Sequence, residues 1–438
     1  MTQSAVQPSS RPGPAFNPQE RHEDLASAKE RRARTFLVRA TFLAFVFSIP
    51  FDMVAIQAGT ALAKVIGIAF FVACVLNHRE PFAKPPKAFW YFVGYLGIWV
   101  LMAVPQVNIE PFRADVLLRF STLFQLLAFA LVATNLMKDH RLAMQAVFAF
   151  GAASVLIALL MAAQVSVVRE VTPIGSRMTF GGQNFNHIAG VFGMSLCALL
   201  GLAYTTQEAS RRRQIIAVPA SAVLVVMTMA TGSRGGVVAT AAGLAILLVQ
   251  GGNLWRWVRS AAVMVVALAW LAYSLAGSDI TLGRFRMSVM KGDVSLRERI
   301  YPEQITMFSE SPLVGFGPVN NARELGKRIK TEGRKPMDAH NLVLHLLTEV
   351  GLFGAVPFLI GLGYCLKAAW DNRLGALGVV PLAVLCAMLA ANLFGNWVPR
   401  KALWLAISLA LAQAPAVARM RRKAPATSAA PATPVLPA

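Results

Sequence analysis

LAMQAVFAFGAASVLIALLMAAQV, Leu142–Val165, is a run of 24 residues without one ionisable side chain. About 20 predominantly apolar residues in a helix cross the hydrocarbon core of a bilayer, so this stretch reads as a membrane helix. Working outward, eleven more runs of the same kind lie at 36–51, 60–77, 88–105, 116–137, 187–206, 214–231, 235–250, 258–276, 342–367, 374–395 and 400–418. The expected fold is an all-α polytopic membrane protein of about twelve transmembrane helices. Composition agrees: hydrophobic residues make up 56% of the 438-residue chain and charged ones only 14%, against about 25% charged in soluble domains. An ordinary soluble domain and a disordered chain are both excluded. The net charge of +21 brings nucleic acid to mind, but a groove-reading protein would not carry membrane-length apolar runs.

Orientation follows the distribution of Lys and Arg. One set of alternate loops holds Arg11, Arg21, Lys29, Arg31, Arg32 and Arg34, then Arg79, Lys84 and Lys87, Lys138 and Arg141, and Arg211–Arg213. The set continues through Arg256, Arg259, Lys367 and Arg373 to Arg419, Arg421, Arg422 and Lys423, for 22 of the 42 basic residues. That places both termini in the cytoplasm. Residues 1–35 and 419–438 read as disordered tails, rich in Pro, Ser and Gln at the start and in Ala, Pro and Thr at the end. Helices 1–9 occupy 36–276, a long outer loop 277–341, and helices 10–12 residues 342–418. No cleaved signal arrangement precedes the first helix, which serves as its own signal. Cys74, Cys197, Cys365 and Cys386 all fall inside apolar runs without paired spacing; a disulfide framework or Cys metal site is not indicated.

The outer loop carries eleven Lys and Arg between Gly277 and Ala339, which long loops tolerate, and it is too long to lack structure. Arg297, Tyr301, Gln304 and Phe308 share one helical face, with Pro302 inside that stretch. Arg323, Lys327, Lys330 and Arg334 form a basic stripe with Leu325 and Ile329 on another face, suited to a helix at a membrane surface. Its partner is either lipid phosphate or a phosphorylated glycolipid. SPLVGFGPVNN, Ser311–Asn321, marks a turn, in which glycines either bring backbone N–H groups to a ligand or simply reverse the chain.

His340 enters the tenth helix from this loop, followed by Asn341. His345 and Glu349 lie about 140° and 180° round from it, so a zinc pair or a His–carboxylate dyad on this helix is not expected. Arg234 sits in TGSRGG (Thr231–Gly236), a tight Gly-rich turn, and Arg177 in GSRMTFGGQNFNHIAG (Gly175–Gly190). Arg177, Arg234 and Arg297, with Arg299 nearby, therefore converge on the outer side with one His. Arg binds phosphate oxygens in pairs, and no Asp/Glu cluster accompanies these arginines to hold a divalent metal.

SRGG at Ser233–Gly236 is followed by Arg297–Tyr301 with Pro312–Gly317 (PLVGFG), and by His340-Asn341 with Glu349–Leu352. In this order the chain resembles the O-antigen ligases, within the wider group of O-antigen ligase and polymerase-related membrane proteins. The motifs span about residues 230–355, and the twelve-helix layout extends the likeness over the chain. The resemblance implies a glycosyltransferase class C-like enzyme of the bacterial inner membrane with a periplasmic active site. It implies transfer of a glycan from undecaprenyl pyrophosphate to a sugar hydroxyl of lipid A-core, inverting, without metal or other cofactor and without nucleic acid as partner.

The family's essential His corresponds to His340 and its pyrophosphate-binding arginines to Arg177, Arg234 and Arg297. Arg297 fits better than Arg299, because the family pattern has Arg four residues before an aromatic, here Tyr301. Arg299, Lys64 and Asn341 are further candidate substrate contacts; for Lys64 the alternative is snorkelling to the membrane surface. An O-antigen polymerase, a protein O-oligosaccharyltransferase and, more remotely, a twelve-helix secondary transporter are the competing readings.

Overall fold

The computed structural model describes residues 35–412 apart from 53–54, 57–59, 78–80, 110–111, 173, 207–208, 250–253, 292–295 and 330–334. The helices in chain order are α1 (Thr35–Phe51, its last turn 3₁₀), α2 (Leu62–Leu76), α3 (Lys87–Val107), α4 (Phe112–Leu136) and α5 (His140–Ala162). They continue as α6 (Phe185–Tyr204), α7 (Arg211–Ala230), α8 (Arg234–Leu247), α9 (Leu254–Ala276), α10 (Asp279–Lys291) and α11 (Arg297–Glu310). The last are α12 (Asn320–Arg328), α13 (Leu342–Asp371), α14 (Val380–Asn392) and α15 (Lys401–Ala412).

Among the described residues seven helices are long and apolar enough to cross a membrane: α3, α4, α5, α6, α7, the Trp257–Ala276 part of α9, and α13. Five shorter apolar helices, α1, α2, α8, α14 and α15, occupy the other runs read from the sequence. The run at 374–395 is helical only from Val380, and 413–418 of the last run lies outside the described residues. The two tails lie outside them as well, except that Thr35 already begins α1.

The described residues are mostly helical, consistent with an all-α polytopic membrane protein, with two short additions. Two antiparallel ribbons are present, β1 (Ala55–Ile56) with β2 (Thr60–Ala61) and β3 (Val167–Thr172) with β4 (Gly175–Phe180). In β4 polar and apolar residues alternate over Arg177, Met178, Thr179 and Phe180, the period of a strand rather than a helix. The ribbon falls between α5 and α6, where the hydrophobic runs stop.

The core is built around α6, which is buried along nearly its whole length between α5, α7, α8 and α14. Small residues allow this. A Cβ on Gly243 of α8 would lie 2.3 Å from Cys197 Sγ of α6 and 2.8 Å from Ala387 Cβ of α14, so three helices close on a glycine, as is common between membrane helices. A second cluster packs Trp99, Tyr95 and Phe92 of α3 against Phe358 of α13 and Trp404 of α15.

The long loop is largely helical, as α10, α11 and α12. Its basic stripe is shorter than expected: α12 ends at Arg328, and Lys330 and Arg334 lie outside the described residues. The α12 charges are matched by protein carboxylates, Arg323 with Asp115 at 2.9 Å, Arg328 with Glu310 at 2.6 Å and Lys327 with Glu324 at 3.3 Å.

The turn at 311–321 has a structural task. Helix α13 breaks at Gly351, whose φ of 60° and ψ of −164° leave the helix. Such a break frees carbonyls before it and N–H groups after it, which must be satisfied inside a membrane protein. The turn supplies both. Phe316 and Gly317 donate N–H to Thr348 and Glu349 carbonyls at 2.8 and 2.9 Å, and Leu352 and Phe353 donate to Pro312 and Leu313 carbonyls at 2.8 and 3.1 Å. Only glycine fits at 351, because a Cβ there would meet the Leu313 carbonyl at 2.3 Å. The N–H groups of Phe316 and Gly317 are thus engaged with α13, which corrects the ligand-approach alternative for these positions.

Candidate active site

The β3–β4 ribbon places Arg177. Its register sets Arg177 opposite Glu170, and Nη1 contacts the Glu170 carboxylate at 3.2 Å. Nε donates to the Thr231 carbonyl at 3.0 Å, and the guanidinium lies 3.9 Å from the centre of the Phe185 ring. Thr231 is the C-cap of α7, and Gly232 turns the chain at φ 63°. Ser233 then caps α8, accepting from Gly236 N–H at 3.1 Å and donating to Asn186 Oδ1 at 2.8 Å. Arg234, first residue of α8, donates to the Arg284 carbonyl at 2.9 Å and to the Ser288 hydroxyl.

The glycines of this turn serve packing. A Cβ on Gly235 would lie 2.6 Å from Phe394 Cβ and one on Gly236 2.3 Å from Ala189 Cβ. The close approach they permit is to neighbouring protein, so they present Arg234 by fixing α8 rather than by contacting a ligand themselves.

Arg284, on α10, completes the group, and the sequence reading did not single it out. Burial pulls the Arg177 guanidinium down to about 10, with the positive charges of Arg284 and Arg234 adding to the effect and Glu170 opposing it. Arg284 and Arg234 are thus both within electrostatic reach of Arg177, and positive charges gathered in this way favour an anion.

Arg297 reaches the same region from the other side. At the start of α11 its Nη2 donates to the Phe394 carbonyl at 3.0 Å, and Phe394 is the residue packed on Gly235 beside Arg234. Ile300, Gln304 and Met307 bury the inner face of α11, with Pro302 accommodated inside the helix. One turn after Arg297, the Tyr301 hydroxyl lies 3.1 Å from the Leu393 carbonyl and 3.3 Å from that of His340, placed to donate to either.

His340 stands next in this chain of contacts. Its backbone has φ 51°, a left-handed conformation that is strained for a non-glycine residue and concentrated at functional sites. Nδ1 lies 4.0 Å from Asp338 Oδ2, an electrostatic contact too long for a hydrogen bond. Burial lowers the proton affinity of the imidazole; Asp338 opposes this and Arg297 reinforces it. The ring is thus biased toward the neutral form. Asn341 caps α13, its side chain accepting from Val343 and Leu344 N–H at 2.9 and 3.1 Å.

Behind Asp338 lies a cavity of about 320 Å³ whose walls include Arg119, His187, His345, Glu349 and Arg400. His345 Nε2 lies 3.2 Å from Glu349 Oε2, and Arg119 Nη1 3.4 Å from Glu349 Oε1. A His–carboxylate dyad therefore does exist on α13, contrary to expectation. It joins two residues four apart, which share a face, and leaves His340 out.

The remaining candidates lie elsewhere. Arg299 is exposed, about 200° round α11 from Arg297. Lys64 is exposed at the edge of a separate, mostly apolar groove of about 840 Å³ between α1, α2 and α4. Among the described residues no three His, Cys, Asp or Glu side chains come together as a metal site. Cys74, Cys197 and Cys365 are buried free thiols and Cys386 is a half-buried one.

Residues 219–359 match the family model described as O-antigen ligase. That match supports the O-antigen ligase family for this segment. The matched segment runs from α7 through the Arg234 turn, Arg284, Arg297 and His340 to beyond the break in α13, with Arg177 and its ribbon preceding it. No curated protein matches the chain. The domain supports the O-antigen ligase and polymerase superfamily, membrane glycosyltransferase-like enzymes acting on lipid-linked glycans, and the apolar helices support a multi-pass membrane protein.

Proposed function

We propose that this protein is an O-antigen ligase that moves a glycan from undecaprenyl pyrophosphate onto a sugar hydroxyl of lipid A-core. In this reading it spans the bacterial inner membrane twelve times, through the seven long and five shorter apolar helices, with both termini cytoplasmic and the site periplasmic. The observation that carries the reading is the placement of His340, a neutral-biased imidazole with an arginine on one side and a carboxylate on the other.

His340 acts as general base. With Nδ1 turned to Asp338, Nε2 accepts the proton of the acceptor hydroxyl as its oxygen attacks the anomeric carbon. The bond from that carbon to the pyrophosphate oxygen breaks, the electron pair leaves with undecaprenyl pyrophosphate, and the anomeric centre inverts. Arg177, Arg234, Arg284 and Arg297 stabilise the charge growing on the leaving group. Guanidiniums supply what a divalent cation supplies in other phosphate-dependent enzymes, so the reaction runs without metal.

Purified full-length protein given a lipid-linked glycan donor is tested against three acceptors: lipid A-core, a second glycan-lipid and a pilin-like peptide. Transfer to lipid A-core alone is the expected result. Elongation of the glycan-lipid would make the protein a polymerase, and modification of the peptide a protein ligase.

A further inference from the structure

The cavity behind Asp338 differs in kind from the arginine cluster. We propose that it is an acceptor subsite that takes one uncharged pyranose ring and discriminates against phosphorylated or carboxylated sugars. As an acceptor site this rests on the ligase reading above; as a sugar site it stands on the cavity itself.

Position comes first. Asp338 lines the cavity and also faces His340 Nδ1 at 4.0 Å, and His187, on the cavity wall, is within electrostatic reach of both His340 and Arg400. The cavity and the base therefore share one carboxylate, Asp338. Size comes next: about 320 Å³ is at the small end of the ~300–1,000 Å³ range of small-molecule sites, which suits one ring rather than an oligosaccharide.

Charge decides the ligand class. Two guanidiniums, Arg119 and Arg400, face two carboxylates, Glu349 and Asp338, so the fixed charges balance. A sugar hydroxyl both donates and accepts, and a wall of alternating carboxylates and guanidiniums satisfies it in both senses. An added phosphate or carboxylate would bring a net charge into a site whose fixed charges already cancel, and would lose its hydration without a matching gain. Trp99, on the wall beside Glu349, offers an apolar surface and a spectroscopic reporter.

The test is binding of a methyl hexopyranoside and of its 6-phosphate to the full-length protein in nanodiscs, read by intrinsic fluorescence and by ligand-observed NMR. The neutral glycoside is expected to bind at least about tenfold more tightly, with the fluorescence change lost in Trp99→Phe. Glu349→Gln is expected to tighten binding of the phosphate while the glycoside still binds, a change that an unfolded variant cannot produce. Equal or tighter binding of the phosphate by the wild-type protein would overturn the proposal, as would failure of both sugars to bind. Sugar binding as expected but no transfer to lipid A-core would sink the ligase reading and leave the subsite standing.

Discussion

The arginine cluster and the cavity behind Asp338 are both polar sites set in an apolar protein, but their charges are organised in opposite ways. Arg177, Arg234 and Arg284 come within electrostatic reach of one another from a ribbon, a helix start and a loop helix, and Arg177 pairs with the half-exposed Glu170. Across His340, Arg119 and Arg400 are balanced by Glu349 and Asp338, and one pairing, Arg119 with Glu349, is direct. Like charges placed together favour an anion; balanced charges favour a neutral ligand rich in donors and acceptors. In the proposed reaction the donor pyrophosphate belongs at the arginine cluster and the acceptor sugar at the cavity.

The largest effect that would break this comparison is loss of a cluster arginine. Arg234→Gln or Arg177→Gln is expected to lower transfer about 10²- to 10³-fold, since a preorganised donor to developing charge is worth roughly 3 kcal/mol. Donor binding, measured with fluorescent undecaprenyl pyrophosphate, should weaken in parallel. Lowered transfer with donor binding unchanged would move the pyrophosphate elsewhere.

Gly351→Ala tests the scaffold that holds the cavity side in place. With φ at 60° and the Leu313 carbonyl 2.3 Å from an added Cβ, the substitution is expected to cost about 3 kcal/mol. It should lower the midpoint of thermal unfolding in detergent, while Gly363→Ala, which meets nothing within 4 Å, should leave it unchanged.

The finest effect is on pH dependence. A base with lowered proton affinity keeps kcat/KM on its plateau below the ordinary titration of imidazole, and activity falls only as His340 becomes protonated. Arg297 lowers that affinity and Asp338 raises it. Arg297→Gln should therefore move the acid limb to higher pH and Asp338→Asn to lower pH. Shifts in the same direction would contradict the placement of His340 between them.

The apolar runs were legible because hydrophobicity is a property of the segment itself, and each of the twelve stretches contains a helix. Arg177, Arg234 and Arg297 were legible through chemistry: an arginine beside glycines or at an outer helix end has few structural reasons to be there. Arg284 was not, because nothing local marks the face of α10 that meets Arg177. The His345–Glu349 pair has a local signal in its spacing of four, on a different face of α13 from His340. The ribbon carrying Arg177 alternates over only four residues, Arg177 to Phe180, a period too short to stand out beside membrane-length runs. The docking of the 311–321 turn into the break at Gly351 depends on hydrogen bonds between segments about 35 residues apart, which no local pattern encodes.

The most direct test of the central claim separates binding from chemistry at His340. His340→Ala is compared with wild type in a purified, chelator-treated assay that measures both donor binding and transfer to lipid A-core. The account predicts transfer reduced by about 10²-fold or more, with binding of fluorescent undecaprenyl pyrophosphate within about twofold of wild type. Near-normal transfer, or loss of donor binding equal to the loss of transfer, would contradict it.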